Sequence, residues 1–198
     1  MNLTAITTLH LFNLLTGLTL PFQIKMSSPQ TTTLSNLPLS LSAPSPPTSP
    51  PSFTVSVTNT SPNPLTILTW STPLDPSLIQ LGLVTITPSG APAPLDIPVV
   101  MLRRRMPPPP ESLVTLRPGE SVERKVEIGE RFAGVEELKG DGKGPLRVQV
   151  KGEWGAVWVA KKKEDVIGTE SLMALGRGGK EGEVLRGAFE SEVLEMEV

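Results

Sequence analysis

The chain of 198 residues has no cysteine and no tyrosine, and its one histidine is His10. The missing cysteines remove disulfides, thiolate nucleophiles and cysteine-held zinc together. A domain this long can fold without them, because it buries roughly two thirds of the surface its unfolded chain exposes. A Ser-His-Asp triad would have to recruit His10, and no HExxH zinc helix is present. Charge is scarce in the first half: residues 1–100 carry only Lys25, Asp75 and Asp96, and every other charged side chain lies in 101–198. The net charge of −2 gives no field directed at nucleic acid or anionic lipid. Long apolar runs are lacking as well. The stretch from Leu9 to Leu20 is broken by His10, Asn13 and Thr16 and is too short to span a bilayer. These absences leave no expected catalytic residue, cofactor site, metal centre, nucleic-acid surface or transmembrane segment.

The N-terminus allows two readings. As a signal peptide, residues 1–26 lack a basic start and a small-x-small cleavage site. Met26, followed by Ser27-Ser28-Pro29, would serve as an ordinary initiator, with residues 1–25 an extension of the gene model. The first reading places the protein outside the cell and the second in the cytoplasm. In both, residues 1–26 stay outside the core. Residues 27–52 form a lead-in rich in Pro, Ser and Thr, with Pro44, Pro46, Pro47, Pro50 and Pro51 favouring an extended chain. Leu37, Leu39 and Leu41 alternate within it and mark a candidate edge strand.

From Phe53 onward the pattern is that of short strands. Phe53, Val55 and Val57 alternate with Thr54, Ser56 and Thr58, the period of a half-buried strand. Asn59 to Pro64 is a dense turn signal, followed by strand-like residues at 65–70, 81–87 and 97–102. Leu113 to Leu116 leads into Arg117-Pro118-Gly119-Glu120, with Pro and Gly at the centre of a type II turn. Val122, Val126 and Ile128 then share a face that Arg124 interrupts. Leu146, Val148 and Val150 predict a strand, Gly152 separates it from Trp154–Val159, and Leu194, Met196 and Val198 close the chain. Trp154 and Trp158 share strand parity, as core or sheet-face residues. Strands at this spacing predict an all-β antiparallel sandwich of about seven to nine strands over residues 53–198. The best helical segment, Glu164 to Leu175, is weakened by Gly168, and the Gly-rich, charged stretch near 161–187 reads as a long mobile excursion.

Few residues suggest a site. Arg103, Arg104 and Arg105, and likewise Lys161, Lys162 and Lys163, are candidate contacts for an anion or a partner protein, against the alternative that they blunt strand ends. Asn59-Thr60-Ser61 matches the N-glycosylation acceptor in a predicted turn. Glu136-Glu137 reads as a solvated turn. Gly176 to Lys180 fails the spacing of a phosphate loop. Trp70, Trp154 and Trp158 are the residues a lipid- or carbohydrate-binding sandwich would use.

The series SFTVSVTNTSPNPLTILTWSTPLD, the RRRMPPP run and the turn LRPGESVERKVEI resemble the prodomain of fungal deuterolysin-type metalloproteases, and still more closely stand-alone fungal proteins of the same pattern. The likeness covers about residues 53–128 and, more loosely, 146–198, where KGEWGAVW and SEVLEMEV fit it. The zinc helix and cysteines of the protease domain are absent, so no catalytic residue carries over. The resemblance implies an immunoglobulin-like sandwich that contacts another protein, as an interaction module or as an inhibitor or folding assistant of a protease.

Overall fold

A computed structural model of the chain describes residues 31–142, 144–173, 175 and 184–198. The leader with His10 and the run Gly176–Lys180 lie outside the described residues. Alternation of apolar and hydroxyl side chains builds the first sheet. Strand β1 (Leu39–Ser42) pairs β2 (Ser52–Thr58), which pairs β6 (Ser121–Glu127), all antiparallel. Phe53, Val55 and Val57 of β2 are buried on one face, while Thr54, Ser56 and Thr58 line the other.

The second sheet is organised around β7 (Leu146–Val159). On one side it pairs β4 (Val84–Thr87) and then β3 (Leu65–Leu68), which pairs β5 (Leu113–Leu116). On the other it pairs β8 (Val184–Glu190) and β9 (Leu194–Met196). The inner faces of the two sheets share one core, with Phe53, Val55, Leu65, Ile67, Val148, Val150, Trp154 and Val157 at its centre. This is the two-layer solution for sheets that are apolar on one face.

Gly152 does not divide β7 into two strands. It stands opposite Phe189 of β8, whose ring covers the place of the missing side chain. A Cβ on Gly152 would lie 2.8 Å from Phe189 Cζ and 2.9 Å from Leu83 Cδ2. The Phe189 ring also tilts onto Trp154, with centroids 5.2 Å apart.

A bulge follows and overturns the expected parity of the tryptophans. Trp154 faces Gly187 and Val157 faces Leu185, so three steps on β7 match two on β8. The extra residue sends Trp154 into the main core and Trp158 to the opposite face of the sheet. There Trp158 packs with Leu68, Leu113, Ala156, Val166 and Leu172 in a second cluster.

The cover of that cluster comes from the stretch read as a mobile excursion. It begins with two short helices, α2 (Lys163–Val166) and α3 (Glu170–Met173), which bury Val166 and Leu172. Gly168, at φ +78°, breaks the chain between them. A third short helix, α1 (Val135–Lys139), buries Leu138 in the main core. The apolar run 97–102 joins neither sheet. Pro98 withholds a ladder donor, and Val99 and Met101 stay 65% and 97% exposed.

Candidate functional site

The turn between β2 and β3 sets the geometry of one end of the sandwich. Asn59 is fully buried there. Its Oδ1 accepts from Ser61 N–H (2.9 Å) and Ser61 Oγ (2.7 Å), and its Nδ2 donates to Asn63 O (2.8 Å) and Leu116 O (2.9 Å). Its backbone clasps the β5–β6 turn, donating to Glu120 O and accepting from Gly119 N–H. That turn is the expected type II: Gly119 has φ +77°, and Glu120 N–H donates to Arg117 O at 3.0 Å. This geometry turns the Asn59 amide, the candidate glycan acceptor, away from solvent. Both amide protons are already bonded inside the protein, and no space adjoins a fully buried side chain for a sugar.

The two basic runs are drawn to different places. Arg104 donates to Asp75 Oδ2 at 2.6 Å and lies 5.6 Å above the Trp70 ring. Asp75 is fully buried and also accepts from Ser71 N–H (2.7 Å) and Ser77 N–H (2.9 Å). Arg104 thus acts as the counter-ion of a buried carboxylate, whereas Arg103 and Arg105 remain exposed. Lys161 O accepts from Thr66 Oγ1, Lys162 caps α2 through Asp165, and Lys163 N–H donates to Thr115 Oγ1. Lys162, Lys163 and Arg117 border a shallow cavity of about 410 Å³ with Glu120 and Glu164. Trp154 and Trp158 are buried and present no ring to a ligand; Trp70 is half-buried under Arg104.

The sequence reading passed over the free edge of β6. Ile128 N–H donates to Pro51 O and Asn59 N–H to Glu120 O, so the even-numbered residues of β6 bond toward β2. Ser121, Glu123, Lys125 and Glu127 therefore turn their N–H and C=O groups away from the sheet, and no strand among the described residues pairs them. A groove runs along this edge. One cavity of about 310 Å³ is lined by Trp70, Leu74, Arg104 and Val122. A second of about 280 Å³ is lined by Leu78, Ile79, Val126 and Phe132. Arg124 and Pro76 border both.

Arg124 is the interruption of the inner face noted in the sequence. It forms no hydrogen bond or ion pair among the described residues, and its Nε is buried without a partner. Other charges share the groove: Lys125 pairs Glu127 at 2.9 Å and Arg104 pairs Asp75, while Glu111 and Glu123 border the first cavity and Arg131 the second. The segment 100–104 runs from Gln80 at the second cavity, through a bond from Val100 N–H, to Arg104 at the first. Among the described residues no group of acidic or histidine side chains could hold a metal ion, and no helix is long and apolar enough to cross a membrane.

Two antiparallel sheets of three and six strands, packed face to face on one apolar core, define an immunoglobulin-like β-sandwich. The chain belongs to the immunoglobulin-like domain family, whose model matches residues 36–198. A fungal relative from Arthroderma benhamiae, described as an uncharacterized secreted protein, is 39% identical over 115 residues. Those residues are 58% of this chain and 55% of the relative, so the match spans about half of that protein's length.

Proposed function

We propose that this domain is a non-catalytic protein-interaction module that engages an extended segment of another protein along the free edge of β6. The observation that carries the reading is the row of outward backbone groups at Ser121, Glu123, Lys125 and Glu127 beside a groove. An added strand would take main-chain hydrogen bonds from this edge and place alternate side chains in the two cavities. The edges at β1 and β8 are less open. β1 has four residues with Pro38 before it and Pro44 soon after, and Leu34 packs against Gly187 of β8. The fully bonded state of Asn59 and Asp75 supports a structural rather than chemical use of the chain's polar residues.

The test is a proline at Lys125. Its N–H points away from β2, so Lys125→Pro removes no bond of the β2–β6 ladder but blocks an incoming strand. Partner recovery should be lost while circular dichroism stays that of the folded domain. Recovery unchanged by this substitution would reject the edge.

The secreted description of the fungal relative supports an extracellular setting, which N-terminal sequencing of the native protein would read directly. A second reading makes the partner a secreted metalloprotease. It rests on the prodomain likeness of residues 53–128 together with that description. Micromolar protein should then slow a deuterolysin-type enzyme; an undisturbed cleavage rate sinks this reading.

A further inference from the structure

The groove beside β6 has an internal order that specifies its occupant more closely. Along the strand, Val122 borders the first cavity, Arg124 lies between the two, and Val126 borders the second. These three side chains share the inward face, with about 13 Å from Val122 to Val126 at roughly 3.3 Å per residue. A strand added at this edge would project every second side chain onto the same face. Its three inward side chains would meet a mainly apolar cavity, the Arg124 guanidinium, and a second cavity in which Leu78, Ile79, Val126 and Phe132 stand beside Gln80 and Arg131. We propose that the groove recognises an extended polypeptide of pattern apolar-x-acidic-x-apolar, with the Asp or Glu carboxylate held by Arg124. This rests on the edge reading above and adds the chemistry of the partner.

Charge selects this occupant over the alternatives at hand. Arg124 borders both cavities and has no ion-pair partner among the described residues, and a carboxylate suits the fork geometry of a guanidinium. A second copy of the chain is a poor fit. Antiparallel self-pairing sets odd residues opposite odd ones, and the three central registers oppose Glu123 to Glu123, Arg124 to Arg124, or Lys125 to Lys125. The chain's own undescribed stretches fit no better. Residues 1–30 contain no Asp or Glu, and 174–183 hold no acid with an apolar residue two places away on both sides. The exposed Val99 and Met101 add apolar surface to the segment that links the two cavities.

The experiment measures fluorescence polarisation of two labelled, threonine-rich peptides on the whole protein. One carries Leu-Thr-Glu-Thr-Val at its centre and the other Leu-Thr-Gln-Thr-Val. The Glu peptide should bind roughly ten- to hundredfold more tightly than the Gln peptide, the weight of one charge-assisted hydrogen bond. Arg124→Gln should bring the two to within about threefold of each other, and Lys125→Pro should abolish both. Equal binding of the two peptides to the wild type, lost in Lys125→Pro, overturns the carboxylate assignment and leaves the edge reading standing. Binding that survives Lys125→Pro overturns both. No binding of either peptide overturns the proposed pattern. The comparison of peptides is made on unaltered protein, so it holds even where a variant fails to fold.

Discussion

At the scale of single residues, two polar side chains organise the end of the sandwich and its open flank. Asn59 satisfies four bonding positions at once and joins the β2–β3 turn to Leu116 and the β5–β6 turn. Replacing it with Ala leaves Ser61 N–H buried and unmatched, while Leu116 O keeps its ladder bond from Leu65. Asn59→Ala should therefore cost about 1–3 kcal/mol of stability in urea unfolding, the weight of one orphaned group. A cost below half of the lower figure would mean that water takes over that bond. The same geometry predicts an unmodified Asn59 in peptide mass spectra of the native protein. In the sequence, Asn-Thr-Ser reads equally as a glycan acceptor and as an Asx turn. Only burial separates the two, and burial depends on Leu116, which lies 57 residues away. Arg124 was legible as a break in the inner face of β6, but its lack of a partner was not. Asp75 and Arg104 were legible only as scattered charges, because their pairing spans 29 residues and a fold.

Among elements, the long strand β7 holds the second sheet together, and two local devices shape it. Phe189 fills the space over Gly152, and the bulge after Trp154 serves both faces of the sheet with one tryptophan each. Gly152→Ala should therefore be destabilising by about 1–3 kcal/mol, since the methyl meets Phe189 and Leu83 inside contact distance. Gly155→Ala is the control: its Cβ meets no atom within 4 Å, and its melting temperature should stay near the wild-type value. Equal losses in the two variants would show that strand propensity, not the Phe189 contact, governs this region. Alternation made β2, β6, β9 and the first half of β7 readable, because each buries one face, whereas β5 was marked by the Pro-Gly turn after it. The strand β8 was not readable: its centre is Gly187-Ala188, and among its residues only Phe189 is buried. The run 97–102 misled for the opposite reason, since its apolar residues stand in solvent beside the groove rather than in a sheet.

On the scale of the whole molecule, the sandwich is finished on one flank and open on the other. Constant-type immunoglobulin sandwiches place a fourth strand beside the one that corresponds to β6; here, among the described residues, the first sheet ends at β6. An unpaired seven-residue edge invites pairing with a second copy. The sequence of that edge resists it. With Arg124 opposite Arg124, the neighbouring pairs would be favourable, since Glu123 would face Lys125 on both sides. The one repulsive contact in this register is the arginine pair, brought together in a groove that excludes water from Nε. Wild-type protein should accordingly be monomeric in light scattering coupled to gel filtration. Arg124→Val removes the repulsion and joins Val122 and Val126 into a continuous apolar stripe. That variant should shift toward a dimer as concentration rises, and adding Lys125→Pro should return it to monomer. A wild type that already dimerises through β6 would show that the edge is an interface between copies, with Arg124 held by a contact other than a partner's carboxylate. A variant that stays monomeric at high concentration would show instead that the groove, rather than the charge on it, keeps a second strand away.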